Sequence, residues 1–360
     1  QPLDTNGDGQ LSVSEFNAGG NFNPFGTFGC GGGSTSAASF TDACLTSTYP
    51  NLALENTGTT KLSRRNVLTG KNDRLDNIAK TGYFDIIFAP ESGYEIKNQL
   101  FYDGIDNMNE NAYGFSQFHK SWVIEDKIVV SKSFDTTAAK ISIQASPSVR
   151  YTKFLHGDDF NYEYFHRVDL TQGYTPLSDR LLSTECDCDY ANYMKGHFVD
   201  YGMAGLADID FNFGLGLVLG ARYDKVHVES TSIVEKLESV PEVISGSGSK
   251  GGWSWNASAS YKLPFGVIPY VTASRQTTVI AGQGSEIDAA TAAGEAFLTA
   301  SKLYEAGIKG SFLDNMLYGA VSVYKQERTD RNIQSSTVNQ SVETEGVEAE
   351  FRWSVDKHFL

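Results

Sequence analysis

The feature that most constrains this sequence is an alternation of apolar and polar residues, repeated over long segments. In 253–262, Trp253, Trp255, Ala257, Ala259 and Tyr261 share one parity, and Ser254, Asn256, Ser258, Ser260 and Lys262 share the other. A period of two gives an extended strand with unlike faces. The pattern returns in Tyr94, Ile96, Leu100 and Tyr102 against Glu95, Lys97, Gln99 and Asp103. It returns again in Val347, Ala349, Phe351 and Trp353 against Glu348, Glu350 and Arg352. Such repetition points to a barrel with an outside apolar enough to face lipid and a wet inside.

Strands are expected near 61–69, 78–89, 93–104, 112–124, 127–134 and 139–154, with turns such as 89–93 and Asp106-Asn107 between them. Tyr201, Met203, Ala207, Ile209, Phe211 and Phe213 then form one hairpin arm, and Leu215, Leu217, Leu219, Ala221 and Tyr223 the other, joined at Gly214. Further strands are expected near 252–263, 266–279, 300–312, 315–327 and 341–354, giving about a dozen in all. Long irregular stretches occupy 1–60, 155–196 and 230–251. Tight turns alternating with long loops fit an all-β fold, a transmembrane antiparallel β-barrel with long extracellular loops. A sandwich would have strands of about 5–6 residues, and a solenoid a short fixed repeat that is not found.

Composition agrees. Tyr (18) and Phe (22) far exceed Met and Cys (4 each), and 35 glycines suit turns. The net charge of −15 argues against a nucleic-acid partner, which needs a basic stripe. No run approaches the ~18 apolar residues of a membrane-spanning helix, so a membrane location requires a barrel. The chain opens at Gln1 without a basic start or an apolar signal segment, and is expected to be either mature or part of something longer.

One motif carries explicit ligand chemistry. Asp4-Thr5-Asn6-Gly7-Asp8-Gly9-Gln10-Leu11-Ser12-Val13-Ser14-Glu15 fits the EF-hand loop: Asp4, Asn6 and Asp8 as side-chain ligands and Gly9 for the sharp turn. Gln10 ligates through its carbonyl, Ser12 directly or through water, and Glu15 as a bidentate carboxylate. Hard oxygen donors in this spacing select Ca²⁺. The flanks are too short for a helix pair, so a structural calcium-pinned loop is expected rather than a sensor.

Other candidates carry less. Cys30 and Cys44, and Cys186 and Cys188, form two local pairs suited to disulfides in exposed loops of an exported protein. The second pair leaves open a bridge, two free thiols, or a zinc site with Asp187, Asp189 and His197. The six histidines at 119, 156, 166, 197, 227 and 358 show no metal-binding spacing. Asp158-Asp159 reads as a solvated loop, and Asp208 with Asp210 as the wet face of a strand. The aromatic clusters Phe22, Phe25, Phe28 and Tyr162, Tyr164, Phe165 fit loop self-packing better than a lid. No nucleophile elbow, phosphate loop or dinucleotide fingerprint appears, so no enzyme is expected.

Three stretches resemble the β-barrel of TonB-dependent outer-membrane receptors of the siderophore type. Ser301 to Gly310 with Phe312-Leu313-Asp314 is similar to a late-barrel "Y-E-x-G-x-K" strand and turn. Val342 to Glu350 resembles the "T-x-G-x-E" strand that follows, and Tyr94 to Asp103 a mid-barrel strand. Such barrels have about 22 strands closed around a plug, so the resemblance, over 61–360, implies part of a larger plugged barrel that extends in both directions. It also implies a bacterial outer-membrane location in contact with lipid, and uptake of a scarce large nutrient such as a ferric siderophore. Coupling to TonB would run through a plug not present in this chain. A passive porin or adhesin, and a soluble secreted calcium-binding β-protein, are the competing readings.

Overall fold

The computed structural model describes residues 10–11, 54–55, 74–91, 93–110, 116–159, 183–314, 316–330 and 340–354. Two short strands, β1 (Gln10–Leu11) and β2 (Leu54–Glu55), pair antiparallel. Eleven longer ones follow: β3 (Arg74–Phe88), β4 (Tyr94–Glu110), β5 (Ser116–Asp135), β6 (Ala139–Asp159), β7 (Asn192–Phe211) and β8 (Leu215–Ser232), then β9 (Ser245–Tyr261), β10 (Val267–Val279), β11 (Leu298–Phe312), β12 (Leu317–Asp330) and β13 (Gln340–Trp353). Each is hydrogen-bonded to its neighbours in sequence, giving one open 11-stranded sheet in the order β13 to β3. Among the described residues the α-helices are α1 (Ser183–Cys186) and α2 (Ala289–Ala293). Among the described residues no helix is long and apolar enough to cross a membrane.

Register turns the alternation of single strands into two continuous surfaces. Ile209, Leu217, Ala259, Val271, Ala306, Val323 and Val347 are successive cross-strand partners from β7 to β13. The next row, one residue away, reads Asp208, Val218, Ser258, Thr272, Glu305, Tyr324 and Gly346. One residue of slip in any pair would exchange these rows, so the apolar face fixes the register. The polar row is internally bonded: Ser258 and Thr272 hydroxyls lie 2.9 Å apart, and Tyr270 donates to Glu305. Tyr304, Ala306 and Ile308 therefore share the apolar face, and Glu305, Gly307 and Lys309 the polar one.

The apolar band has definite borders. Along β8 and β9 it ends in Tyr223, Trp253 and Trp255, ring chemistry that suits a membrane interface. On β11 to β13 the border is ionic: Lys302 pairs with Glu327 at 3.0 Å, and Lys325 with Glu343 at 2.5 Å and Glu345 at 3.1 Å.

Three sequence expectations are corrected. The segments 112–124 and 127–134 are parts of one strand, β5. The polar run Glu125-Asp126-Lys127 resembles a turn, but Glu125 and Lys127 line the polar face, and Asp126 accepts a hydrogen bond from Asn98 at 2.6 Å. Asp106-Asn107 is likewise inside β4, where Asn107 donates to Asn77 at 2.7 Å. The irregular stretches 155–196 and 230–251 are shorter than expected, since β6 runs to Asp159, β7 starts at Asn192 and β9 starts at Ser245. The segment 61–69 lies outside the described residues.

The chain divides into two units. In the first (1–76, 108–117 and 158–191), Arg74 donates to Glu110 at 2.7 Å, and Thr184 donates to the other oxygen of Glu110. Asp158 and Asp159 are buried at the end of β6, not in a solvated loop. Cys186 and Cys188 form a disulfide, which takes both sulfurs out of the suggested zinc site. The second unit (77–107, 118–157 and 192–360) contains the rows above and a small core.

Placing a charge in the middle of the apolar row should be costly in lipid and cheap on the other face. Val323→Arg is expected to lower the unfolding free energy of the bilayer-refolded protein by about 2–4 kcal/mol, and Glu348→Arg by less than about 1 kcal/mol. Denaturant titration in vesicles of defined thickness measures both.

Candidate functional site

The polar face of the second unit carries a cavity of about 800 Å³. Strands β5 to β8 supply its charges: Glu125, Lys127, Arg150, Asp200, Arg222 and Asp224. Most are paired along the wall. Arg150 reaches Glu125 through Nη2 at 2.6 Å and Nε at 2.7 Å. Arg222 holds Asp224 through Nη2 at 2.6 Å and Nε at 2.7 Å, and also donates to the Ser148 hydroxyl at 3.0 Å. Asp200 keeps one buried oxygen, Oδ1, without a hydrogen-bond partner among the described residues. The arrangement can receive a polar or charged surface through fixed arginines and carboxylates.

The segment between β10 and β11 covers part of this wall. Ile287, Ala292 and Phe297 are buried with Phe154, Met194, Phe198, Val226 and Val228. The last two follow Arg222 and Asp224 at the same parity, so here the polar face turns apolar to receive the loop. Asp288 caps α2, accepting from Thr291 N at 2.7 Å and from the Thr291 hydroxyl at 2.7 Å. Below α2, β9 begins Ser245-Gly246-Ser247-Gly248-Ser249. A Cβ at Gly246 would collide with the Ala289 carbonyl, and one at Gly248 with that of Ala292. The Ser-Gly alternation therefore belongs to a strand whose glycine face admits a helix at backbone contact, although its composition suggested a loop.

The loop also brings Glu286 to two histidines that sequence spacing left apart. Ser133 faces Ser142, Glu125 faces Arg150, and His119 faces His156 across the β5–β6 hairpin. His119, His156 and Glu286 are all buried, at 4%, 2% and 6% exposure, and their ligand-bearing atoms lie within 4.8 Å of one another. The signal was present: the two histidines are nearly equidistant from the hairpin turn. The turn-like composition of Glu125–Lys127 and the loop-like composition from 155 onward hide it.

Of the expected calcium ligands, Asp4, Asn6, Asp8, Ser12 and Glu15 lie outside the described residues, as do Cys30, Cys44 and both aromatic clusters. Gln10 falls in β1, where it partners Glu55.

An antiparallel meander of strands mostly 13–21 residues long, apolar on one face and charged on the other, defines the wall of a transmembrane β-barrel. A sequence profile described as TonB dependent receptor-like, β-barrel matches residues 4–359. The chain belongs to this family, the TonB-dependent receptors, through its β-barrel region. Solved structures agree in fold. The siderophore receptor PiuA of Acinetobacter baumannii superposes with a TM-score of 0.65 at 14% identity, over 83% of this chain and 47% of that one. The ferric-catecholate import receptor Fiu of E. coli K12 gives 0.60 at 12% identity, over 83% and 48%. The ferric citrate transporter FecA gives 0.57 at 13%, over 78% and 40%. The chain thus spans about half or less of the length of each of these receptors. No curated protein matches it.

Proposed function

We propose that the protein to which this chain belongs is a TonB-dependent transporter of the bacterial outer membrane that takes up a ferric siderophore. The observation that carries this reading is family membership together with a barrel wall that pairs an apolar face with an inward cavity lined by charges. Its solved neighbours include receptors named for siderophores, ferric catecholate and ferric citrate. A lumen lined by Arg150, Arg222 and their carboxylates suits contact with a charged plug or with an anionic ferric chelate. Energy would come from TonB acting through a plug domain, and lipid would meet the row from Ile209 to Val347. The reading assigns no enzymatic chemistry. Deleting the gene in its host should abolish growth on one ferric siderophore as sole iron source, and deleting TonB should do the same. Uptake that survives loss of TonB would favour a passive pore.

A second element of the proposal is a structural Ca²⁺ in the segment 4–15, held by Asp4, Asn6, Asp8, the Gln10 carbonyl, Glu15 and Ser12, the last directly or through water. Support comes from the spacing of the ligands and from the β1–β2 pairing, which ties Gln10 and Leu11 to Leu54 and Glu55. Without the ion, Asp4, Asp8 and Glu15 repel one another across a tight turn. Chelating calcium should raise protease cleavage within 1–60 and leave the barrel's resistance to SDS unchanged. An Asp8→Ala, Glu15→Ala double variant should be equally sensitive with and without calcium; if it instead matches the wild type in calcium, the site is wrong.

A further inference from the structure

We infer that the outer face of the wall carries a binding site for a phosphate-bearing lipid, formed by Lys153 on β6 and Lys195 on β7 near the long-loop rim. The inference rests on the barrel wall alone and stands apart from the siderophore and calcium readings.

Short turns join β5 to β6, β7 to β8, β9 to β10 and β11 to β12 at one rim, and longer segments join β6 to β7, β8 to β9 and β10 to β11 at the other. On four strands an aromatic residue has a lysine two positions nearer the long-loop rim. The strands β6 and β8 run towards that rim and read Tyr151-Thr152-Lys153 and Tyr223-Asp224-Lys225. The strands β5 and β11 run away from it and read Lys120-Ser121-Trp122 and Lys302-Leu303-Tyr304. A spacing of two keeps ring and lysine on one face of a strand. The order reverses with strand direction, so the lysine always lies beyond the ring on the same side.

That face is the apolar one. Tyr223 has the parity of Leu217 on β8, Tyr304 that of Ala306 on β11, and His197 that of Ile209 on β7. Ring contacts carry the face to β6 and β5: Tyr151 stacks on His197 with centroids 5.4 Å apart, and Trp122 lies 5.3 Å from Tyr151. Arg150 and Thr152, at the opposite parity on β6, line the inner cavity. Aromatic rings at the end of an apolar band mark the interface of a bilayer. A lysine one step further out reaches the head groups while its stem stays on the apolar surface.

Charge singles out one part of this rim. Lys120 has Asp106 at 4.0 Å, and Lys302 has Glu327 at 3.0 Å. Lys153 and Lys195 are exposed and have no carboxylate partner among the described residues. The nearby Glu229 is engaged by His227 at 3.2 Å and lies 4.0 Å from His197. In a chain of net charge −15, two uncompensated cations on neighbouring strands repel one another, and an anion between them removes that cost. Lysine binds phosphate as a point charge with several donors. Towards the other rim, the stacked rings lead to Val149 and Met203, both exposed at the same parity. Cations above and an apolar band below match a lipid, with its phosphate on the lysines and its acyl chains on the band. Long loops belong to the extracellular side of such barrels, which assigns this lipid to the outer leaflet.

The test uses the full-length receptor in detergent, titrated separately with phosphatidic acid, whose head group is a phosphate monoester, and with phosphatidylcholine. Native mass spectrometry counts the bound lipid. Wild type should bind phosphatidic acid more tightly than phosphatidylcholine. The double variant Lys153→Gln, Lys195→Gln should lose about 25-fold in affinity for phosphatidic acid, at about fivefold per lysine. Lys140→Gln, near the short-turn end of β6, should match wild type. Both site lysines are exposed, so the double variant keeps its fold, checked by resistance to SDS. Equal affinity in wild type and the folded double variant would overturn the site, and so would equal affinity of wild type for the two lipids. Displacement of phosphatidic acid by millimolar inorganic phosphate would assign the lysines to free phosphate and overturn the lipid.

Discussion

Every other feature of this molecule depends on the backbone hydrogen-bond ladder. In hydrocarbon no water is present to satisfy N–H and C=O groups, so a sheet that crosses lipid must pair each strand on both sides. The meander from β3 to β13 does this for its nine inner strands. Its two outer strands, β3 and β13, carry edges that need partners in a membrane. Once the ladder is set, side chains have only two directions, and the register of seven strands sorts Ile209 through Val347 outward and Asp208 through Gly346 inward. The apolar row does not hold the sheet together by itself; it selects which of two registers is tolerable in lipid.

The inner face is less uniform than the ladder suggests. Low on the wall it is polar and self-paired, as with Arg222, Asp224 and Ser148. Towards the ends of β7 and β8 the same parity becomes Phe198, Val226 and Val228, an apolar patch that would be costly in a water-filled lumen. The β10–β11 loop removes that cost by seating Ile287, Ala292 and Phe297 there. Glycines at 246 and 248 allow α2 to sit on the backbone of β9, and the position of α2 in turn brings Glu286 to His119 and His156. Strand composition, loop placement and the histidine cluster are therefore one connected arrangement.

Much of this was legible in the sequence because period two is a strong signal when strands are long. The hairpin at Gly214, the late strands and their facing followed from parity alone. What escaped was polar density inside strands. Glu125-Asp126-Lys127 and Asp106-Asn107 look like turns because turns are rich in such residues, yet in a barrel wall the same residues bond across to Arg150, Asn98 and Asn77. Ser-Gly alternation at 245–249 failed for the converse reason: glycine usually marks a loop, and here it marks close approach. The histidine pair is a long-range contact created by register, so it becomes visible only after β5 and β6 are extended to their full lengths.

The central claim, that alternate residues of this sheet meet lipid and lumen, is tested most directly by spin labelling. Cysteine substitutions at each position from 215 to 223 on β8, labelled with a nitroxide in the full-length protein in bilayers, report collisions with dissolved oxygen and with a water-soluble nickel complex. Labels at 217 and 219 should favour oxygen and those at 216, 218, 220 and 222 the nickel complex, with a period of two. A profile without that period, or one with its phase reversed, would contradict the account.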